Sequence, residues 1–363
     1  MLLRTSLLVL CAAPAAAQLV LYDAGTAGNP PTAPSPDTQG WSISIGNGVT
    51  VAPISPDGAT GLNAWEVSDT NPAYGAPGLH DYGLSWQEIS AAYARGFELT
   101  AVLRLTAGSP SSIYIAFSDG FTLSDDLFLV AFSIAGADVV ARDWHGSSSW
   151  ICAGAMDGQY HTFGMRYTAG SASGVQFVYE GEVMGPLAGG IPPPPVSNQG
   201  VSWGSWTTGV GRARFHRVEF RYLDDLGTSH CGPAVANSTG APAQLSALGS
   251  PVVANQFLEV TAASLPANQF GYLLASLSAG FVANPGGSQG NLCLAGNIGR
   301  FVAQVQSSGA GGSFTVPVDL GAIPTTPVAA IAPGETWNFQ CWYRDQNRGS
   351  TSNFTDALRI EFR

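Results

Sequence analysis

Residues 157–185, DGQYHTFGMRYTAGSASGVQFVYEGEVMG, bring His161, Glu180 and Glu182 together with a run of aromatic rings. A histidine near carboxylates is the raw material of general acid–base chemistry. The local pattern argues for structure instead. Period-two alternation puts His161, Phe163, Met165 and Tyr167 on one face and Tyr160, Thr162, Gly164 and Arg166 on the other, and VQFVYE repeats the alternation. Two strands joined by TAGSASG make a hairpin, so His161 is expected on a core face and the carboxylates at a solvated strand end. On one strand Glu180 and Glu182 would lie ~7 Å apart. Glycoside hydrolysis needs a carboxylate pair at a defined separation, and apart from these two only Glu66 and Asp69 come near in sequence. Neither pair is accompanied by an acid–base partner or a substrate wall.

Other residue types point to binding. SDGFTLSDD places Asp119, Asp125 and Asp126 at a turn between two predicted strands, where carboxylates plus main-chain carbonyls could hold calcium; the plain alternative is an acidic hairpin loop. Aromatic rings in polar loops can stack on the C–H face of a sugar while polar neighbours take its hydroxyls. ARDWHGSSSW, with Arg142, Asp143, Trp144, His145 and Trp150, is the first candidate, and NPAYGAPGLHDYG, with Tyr74, His80, Asp81 and Tyr82, the second. Core packing competes for all of these rings. GRARFHRVEFR carries Arg212, Arg214, Arg217 and Arg221, a set that could meet anionic sugars, but its alternation with Val218, Phe220 and Tyr222 is that of an outer sandwich strand.

The elements that must position these residues are strands. FELTAVLRLT, SIYIAFSDG, DLFLVAFSI, ADVVARDW, YHTFGMRYT, GVQFVYEGE and RFHRVEFRY are short, β-rich and bounded by turn residues, the rhythm of a sandwich or jelly roll. SWQEISAAYARG, with Trp86, Ile89 and Tyr93 at helical spacing before Gly96, reads as one or two helical turns. Near LDDLGTSHCGPAVANSTGAPA the composition shifts to small residues and proline. A second strand series follows through FLEVTAASLP, FGYLLASLS, GRFVAQVQSS, GSFTVPVDL, TWNFQCWYRD and DALRIEF. The proline run in GGIPPPPVSNQG is read as a stiff loop inside the first series.

Residues 1–17 have the layout of a secretory leader: one positive charge at Arg4, an apolar stretch, and small residues at Ala15 and Ala17 before Gln18. Leu10 before Cys11 is too bulky for a lipoprotein signal. The expected organisation is therefore a leader over 1–17, a first domain over 18–226 and a second over 227–363, exported and without a membrane span. A net charge of −11, with all basic residues arginine, argues against nucleic-acid binding. Four cysteines follow the leader: Cys152, Cys231, Cys293 and Cys341. An even number in an exported chain suggests disulfides, and three connectivities are open. The preferred pairing is Cys231–Cys293, leaving Cys152 and Cys341 free or joined.

The hairpin at 157–185, with NAWEVSDTNPAYGAPGLHDYGL and RGFELTAVLRLT upstream and VSWGSWTTGVGRARFHRVEF downstream, resembles laminin-G and concanavalin-A-like modules of the kind attached to secreted sialidases. The resemblance spans about residues 19–222 and implies a jelly-roll fold, sugar binding and, in such loops, calcium. CGPAVANSTGAPAQLSALGSPVVANQ, SLPANQFGYLLAS, GGSQGNLCLAG, GETWNFQCWYRD and SNFTDALRIEF are similar to a C-terminal module recurrent in large exported bacterial proteins, which implies retention, sorting or an accessory role. No sialidase Asp-box repeat and no glucanase E-x-D-x-x-E is present.

The expectation is thus an all-β protein: a concanavalin-A-like jelly-roll sandwich followed by a smaller β-sandwich. Its role would be to bind extracellular glycan or cell-envelope material, without a nameable catalytic centre. The alternatives are a structural or adhesive surface protein that binds no sugar, and a polysaccharide-cleaving enzyme built around Glu66, His80 and Asp81.

Overall fold

The structure is a computed structural model that describes residues 18–25, 28, 32–70, 78–108, 113–118, 128–144, 146, 148–188, 199–205, 210–347, 349 and 351–363. The first sandwich begins with β1 (Gln18–Asp23), β2 (Ser42–Ile45), β3 (Val49–Ile54), β4 (Ala64–Asp69) and β5 (Gly78–Leu84). After the helix α1 (Trp86–Arg95) come β6 (Phe97–Gly108), β7 (Ile113–Ser118), β8 (Phe128–Ala135), β9 (Asp138–Asp143) and β10 (Ser149–Cys152). It closes with β11 (His161–Tyr167), β12 (Val175–Tyr179), β13 (Glu182–Pro186), β14 (Gln199–Ser205) and β15 (Gly211–Tyr222).

These strands form two antiparallel sheets. An eight-stranded sheet runs β13-β12-β11-β6-β15-β4-β3, with β1 added against β15, and a seven-stranded sheet runs β10-β9-β8-β7-β14-β5-β2. Successive strands repeatedly cross between sheets (β4 to β5, β6 to β7, β14 to β15), which is the winding of a jelly roll. Alternation explains the core. Leu99, Ala101 and Leu103 of β6, Ile113, Ile115 and Phe117 of β7, Phe128, Val130 and Phe132 of β8, and Val218, Phe220 and Tyr222 of β15 all turn inward into one cluster.

The helix is longer than expected, ten residues, because both ends are capped. Ser85 accepts from the N–H of Glu88 while the Glu88 carboxylate accepts from the N–H of Ser85, and Gly96, at φ 83°, stops it. Ile89 is buried, Tyr93 packs on the core and Trp86 is exposed.

The second sandwich contains β16 (Thr228–His230), β17 (Gln244–Gly249), β18 (Leu258–Ala263), β19 (Phe270–Ser276), β20 (Ser278–Ala283) and β21 (Asn291–Ala295). It continues through β22 (Gly299–Arg300), β23 (Gln306–Ser307), β24 (Phe314–Pro317), β25 (Thr336–Asp345) and β26 (Thr351–Glu361). A sheet ordered β16-β26-β25-β19-β22 packs over the three-stranded β17-β18-β24, with Leu258, Val260, Val316, Trp337, Phe339 and Ile360 among the residues between them. The expected strand in GRFVAQVQSS is instead two strand fragments around a short 3-10 turn at Val302–Gln304.

A disulfide joins Cys231 to Cys293, while Cys152 and Cys341 are free and buried. Burial pushes the Cys152 thiol up to about 12, and the Cys341 thiol further. The two cores meet at α1, where the Arg95 guanidinium stacks over the Tyr222 ring at 4.2 Å, pairs with Asp224 and donates to the carbonyl of Gly249. No helix among the described residues is long and apolar enough to cross a membrane.

Candidate functional site

The hairpin that opens the sequence question folds as expected, but its histidine does not sit idle in the core. His161 keeps the parity of Phe163 at the end of β11, and its ring bridges two carboxylates. Its Nδ1 is 2.9 Å from Glu180 and its Nε2 3.0 Å from Asp157. Glu180 is not on a strand with Glu182; it occupies the turn between β12 and β13 at φ 48° and also accepts from the N–H of Thr162. The trio ties hairpin ends together, and both ring nitrogens are already occupied.

The arginine row on β15 is likewise used internally. Arg214 pairs with Glu66 at 2.8 Å and Asp57 at 2.9 Å, Arg212 approaches Glu66, Arg217 pairs with Glu219, and Arg221 shares Glu98 with Arg166. Asp57 is buried, which alone would raise its pKa. The N–H of Ala59, the Tyr160 hydroxyl and the Arg214 and Arg104 guanidiniums more than offset this and hold the carboxyl below its usual range. This face presents satisfied ion pairs rather than open cations.

Two of the expected sugar-binding aromatics of β5 are corrected by strand parity. His80 and Tyr82 share the inward side with Leu84. His80 is fully buried, stacked on Trp203 at 3.9 Å and accepting at Nε2 from Trp65 Nε1. Tyr82 packs edge-on against Trp41 within the core. Trp150 is also claimed by packing: it stacks on Phe177 at 5.0 Å. The grouping of Glu66, His80 and Asp81 is therefore split. Glu66 bonds Arg214 on the eight-stranded sheet, His80 lies between the sheets, and Asp81 projects from the far side of the seven-stranded one. Tyr74, His145 and the calcium candidates Asp119, Asp125 and Asp126 lie outside the described residues. Among those described, no group of three or more His, Cys, Asp or Glu is arranged to hold a metal ion.

What the fold does bring together is the outer face of the seven-stranded sheet. Register across the strands gives one transverse row of Ser149, Arg142, Ala131, Tyr114, Gly204, Leu79 and Ser44. The adjacent row is Leu129, Ala116, Ser202, Asp81 and Ser42. Trp144 extends this second row, its N–H donating to the carbonyl of Leu129. From Trp144 to Asp81 is four strand spacings, ~19 Å. On this side of the sheet Leu79, Tyr114, Ala116, Leu129 and Ala131 pack into a small buried cluster of their own. At Gly204 even a Cβ would meet the carbonyl oxygen of Gly78 at 1.9 Å, so the position admits only glycine.

At the centre of this face the Ser202 hydroxyl hydrogen-bonds Asp81, its register partner on β5, with Tyr114 beside them on β7. Burial pushes the Asp81 carboxyl up to about 7 against the lowering effect of Ser202, and burial also raises the Tyr114 phenol. Asp81 Oδ1 is shielded from solvent with no hydrogen-bond partner among the described residues, a vacancy that costs about 1–3 kcal/mol unless something fills it. At one margin, Arg142 is exposed and without a carboxylate partner among the described residues, and Trp144 is 39 % exposed. With a buried acceptor at one end and a free guanidinium and an open indole ~19 Å away at the other, the face spans the length of an oligosaccharide of several rings, not of a single ring.

The sequence singled out Arg142 and Trp144, and placed Asp81 in the second candidate loop, but no motif marked Tyr114 and Ser202. The available signal was parity. In SIYIAFS and VSWGS the large apolar residues mark the inward side, so Tyr114 and Ser202 must face out.

No protein-family model matches the chain, and no curated protein does. Among solved structures, the chain is similar to the conserved carbohydrate esterase from Shiga toxin-encoding bacteriophage phi24B, with 16% identity over 58% of this chain and 100% of that one and a TM-score of 0.40. It is also similar to the cellulose-induced protein Cip1, with 14% identity, 50% and 90% coverage and a TM-score of 0.33. For the Emp47p carbohydrate recognition domain the values are 8% identity, 55% and 95% coverage, and 0.29. No residue of the site is assigned from these likenesses. The fold stands on its own topology: an all-β jelly-roll sandwich followed by a smaller β-sandwich.

Proposed function

We propose that the chain is an exported carbohydrate-binding protein whose ligand lies across the outer face of the seven-stranded sheet, between Trp144 and Asp81. The observation that carries this reading is the orphaned Asp81 Oδ1, set in one row with Ser202 and the open Trp144 indole. A sugar hydroxyl supplies the donor that Asp81 lacks, Trp144 offers a ring face, and Arg142 offers a fork to an acidic or hydroxyl-rich neighbour. Export is supported by the leader-like layout of residues 1–17 and by the Cys231–Cys293 disulfide, a bond characteristic of oxidising compartments.

A glycan array probed with the full chain, with calcium and again with chelator, tests the reading. Binding that disappears in Trp144→Ala and Asp81→Asn upholds it. Loss of binding with chelator would add a role for calcium at Asp119, Asp125 and Asp126. Binding indifferent to both substitutions would place the ligand elsewhere, and a blank array would favour the structural or adhesive alternative. Asp81, with a carboxyl held near neutrality, can also exchange a proton at physiological pH. Release of product from a polysaccharide, abolished in Asp81→Asn, would turn the binding face into an active site.

A further inference from the structure

We propose that the second sandwich carries its own pocket, for a ligand with an apolar, ring-sized body and one carboxylate. The outer face of its larger sheet is roofed by the two-stranded ribbon β20–β21, which is fastened in place. The buried Gln340 amide accepts from the N–H of Cys293 and donates to the carbonyls of Asn291 and Thr355, while the disulfide ties Cys293 to Cys231. Beside the fastened end a cavity of about 290 Å³ remains open. Its floor is aromatic: Tyr272 and Trp342 are register partners with ring centroids 5.0 Å apart, and Phe354 lies opposite Trp342 on β26. Leu274, Leu292 and Ile298 complete the apolar wall, and Arg300 stands on β22 beside Leu274.

Arg300 decides the chemistry. Arg95, Arg104, Arg166, Arg212, Arg214, Arg217 and Arg221 each pair with a carboxylate. Arg300 has no such partner among the described residues, and no acidic side chain lines the cavity. A guanidinium at the edge of an apolar cavity selects a carboxylate, which its fork can grip through two parallel hydrogen bonds. The walls select the rest of the ligand. Apart from the Tyr272 hydroxyl, the Trp342 indole N–H and Arg300 itself, the lining side chains are apolar, so a sugar would bury several hydroxyls unpaired, at about 1–3 kcal/mol each. A phenyl or branched aliphatic body leaves none unpaired, and the cavity suits one ring in size. Two sources share this chemistry: a free aryl-alkanoic acid and the last residue of a polypeptide ending in an aromatic or branched side chain. The pocket is independent of the sugar-binding face, from which it differs in sandwich, floor and charge.

The test is calorimetric titration of the full chain with 3-phenylpropionate, its neutral amide 3-phenylpropionamide, and N-acetyl-glycyl-phenylalanine. The acid is expected to bind at least about tenfold tighter than the amide, the equivalent of one charge-assisted hydrogen bond. Arg300→Gln, at an exposed position that leaves folding intact, should erase that preference, and Trp342→Leu should weaken acid and amide alike. Tighter binding of the dipeptide would identify a chain end as the ligand, and tighter binding of phenylpropionate a free acid. Equal binding of acid and amide, an acid preference that survives Arg300→Gln, or no binding of any probe at millimolar concentration would overturn the proposal.

Discussion

The imidazole of His80 lies flat on the indole of Trp203, ring centroids 3.9 Å apart and planes within 8° of parallel. The two residues are register partners on β5 and β14. Trp65, from the opposite sheet, donates its indole N–H to His80 Nε2 at 2.9 Å, so the histidine is the neutral tautomer with its proton on Nδ1. It is a polar clasp between the sheets. Replacing it with alanine removes a ring and strands the Trp65 N–H, and should cost about 3–5 kcal/mol in denaturant unfolding. His80→Phe, which keeps the ring, should cost only about 1–2 kcal/mol. Equal stability of His80→Ala and the parent would refute the clasp.

Burial also lowers the His80 pKa from 6.5 to about 4. Below 6.5 the unfolded chain takes a proton that the folded one refuses, so stability is full above that value and falls as pH drops towards 4. In His80→Phe this part of the acid sensitivity should be missing. Melting curves of the two proteins between pH 4 and 8 measure it directly, and parallel profiles would show that His80 is not the titrating group.

Asp81, one residue on, works in the opposite direction. Its folded pKa is raised from 3.8 to about 7 by burial, so the native state holds a proton that the unfolded chain releases. Stability is therefore lost as pH rises through that window. Asp81→Asn should be more stable than the parent at pH 8, with the difference closing by pH 4. A bound sugar that donates to Asp81 Oδ1 should shift the parent's profile and leave that of the variant in place.

Trp144 and Arg142 stand at the open margin of the same face, and neither supports the core. Trp144→Ala and Arg142→Ala should each stay within about 0.5 kcal/mol of the parent in stability while weakening glycan binding by about tenfold or more. Surface plasmon resonance against an array hit separates the two effects. A stability loss of several kcal/mol in Trp144→Ala would mean that the indole packs rather than binds.

Strand parity was legible in the sequence wherever large apolar residues alternate, as in the Phe163, Met165 and Tyr167 of β11. Parity also carried the correction for His80 and Tyr82, since Leu84 on the same strand marks their side as inward. What could not be read was pairing. Ser202 and Asp81 become neighbours only because β14 inserts between β5 and β7, a juxtaposition of residues more than a hundred positions apart that no local pattern encodes. The same limit hid the carboxylates that meet Arg212, Arg214 and Arg221 of β15: Glu66 and Glu98 reach them across strands, whereas Glu219 pairs with Arg217 along the same one.

The Cys231–Cys293 bond closes a loop across 62 positions, and it also holds the ribbon over the second sandwich. Chain-entropy reasoning gives such a loop about 4 kcal/mol of stabilisation. Reductant, or Cys231→Ser, should therefore lower the unfolding midpoint of the chain, and in a variant whose two sandwiches melt separately it should move that of the second alone. Tryptophan fluorescence of Trp342 against that of Trp203, isolated by replacing the other indoles, reads the two separately. A midpoint that ignores reductant would mean that packing alone secures the ribbon.

Arg95 couples the two halves. Its side chain is shut away from solvent between Tyr222, Asp224 and the Gly249 carbonyl, while Arg363 reaches back to the carbonyl of Ala94. Because Asp224 is itself largely exposed, the ion pair adds little, and the buried carbonyls and the ring stacking supply most of the coupling. Arg95→Leu should preserve some of the packing yet orphan the Gly249 carbonyl, at a cost of about 1–3 kcal/mol. The expected result in calorimetry is one transition for the parent and two resolved transitions for the variant, with faster proteolysis at residues 222–228. If the parent already unfolds in two steps, or the variant still unfolds in one, Arg95 is not the coupling residue.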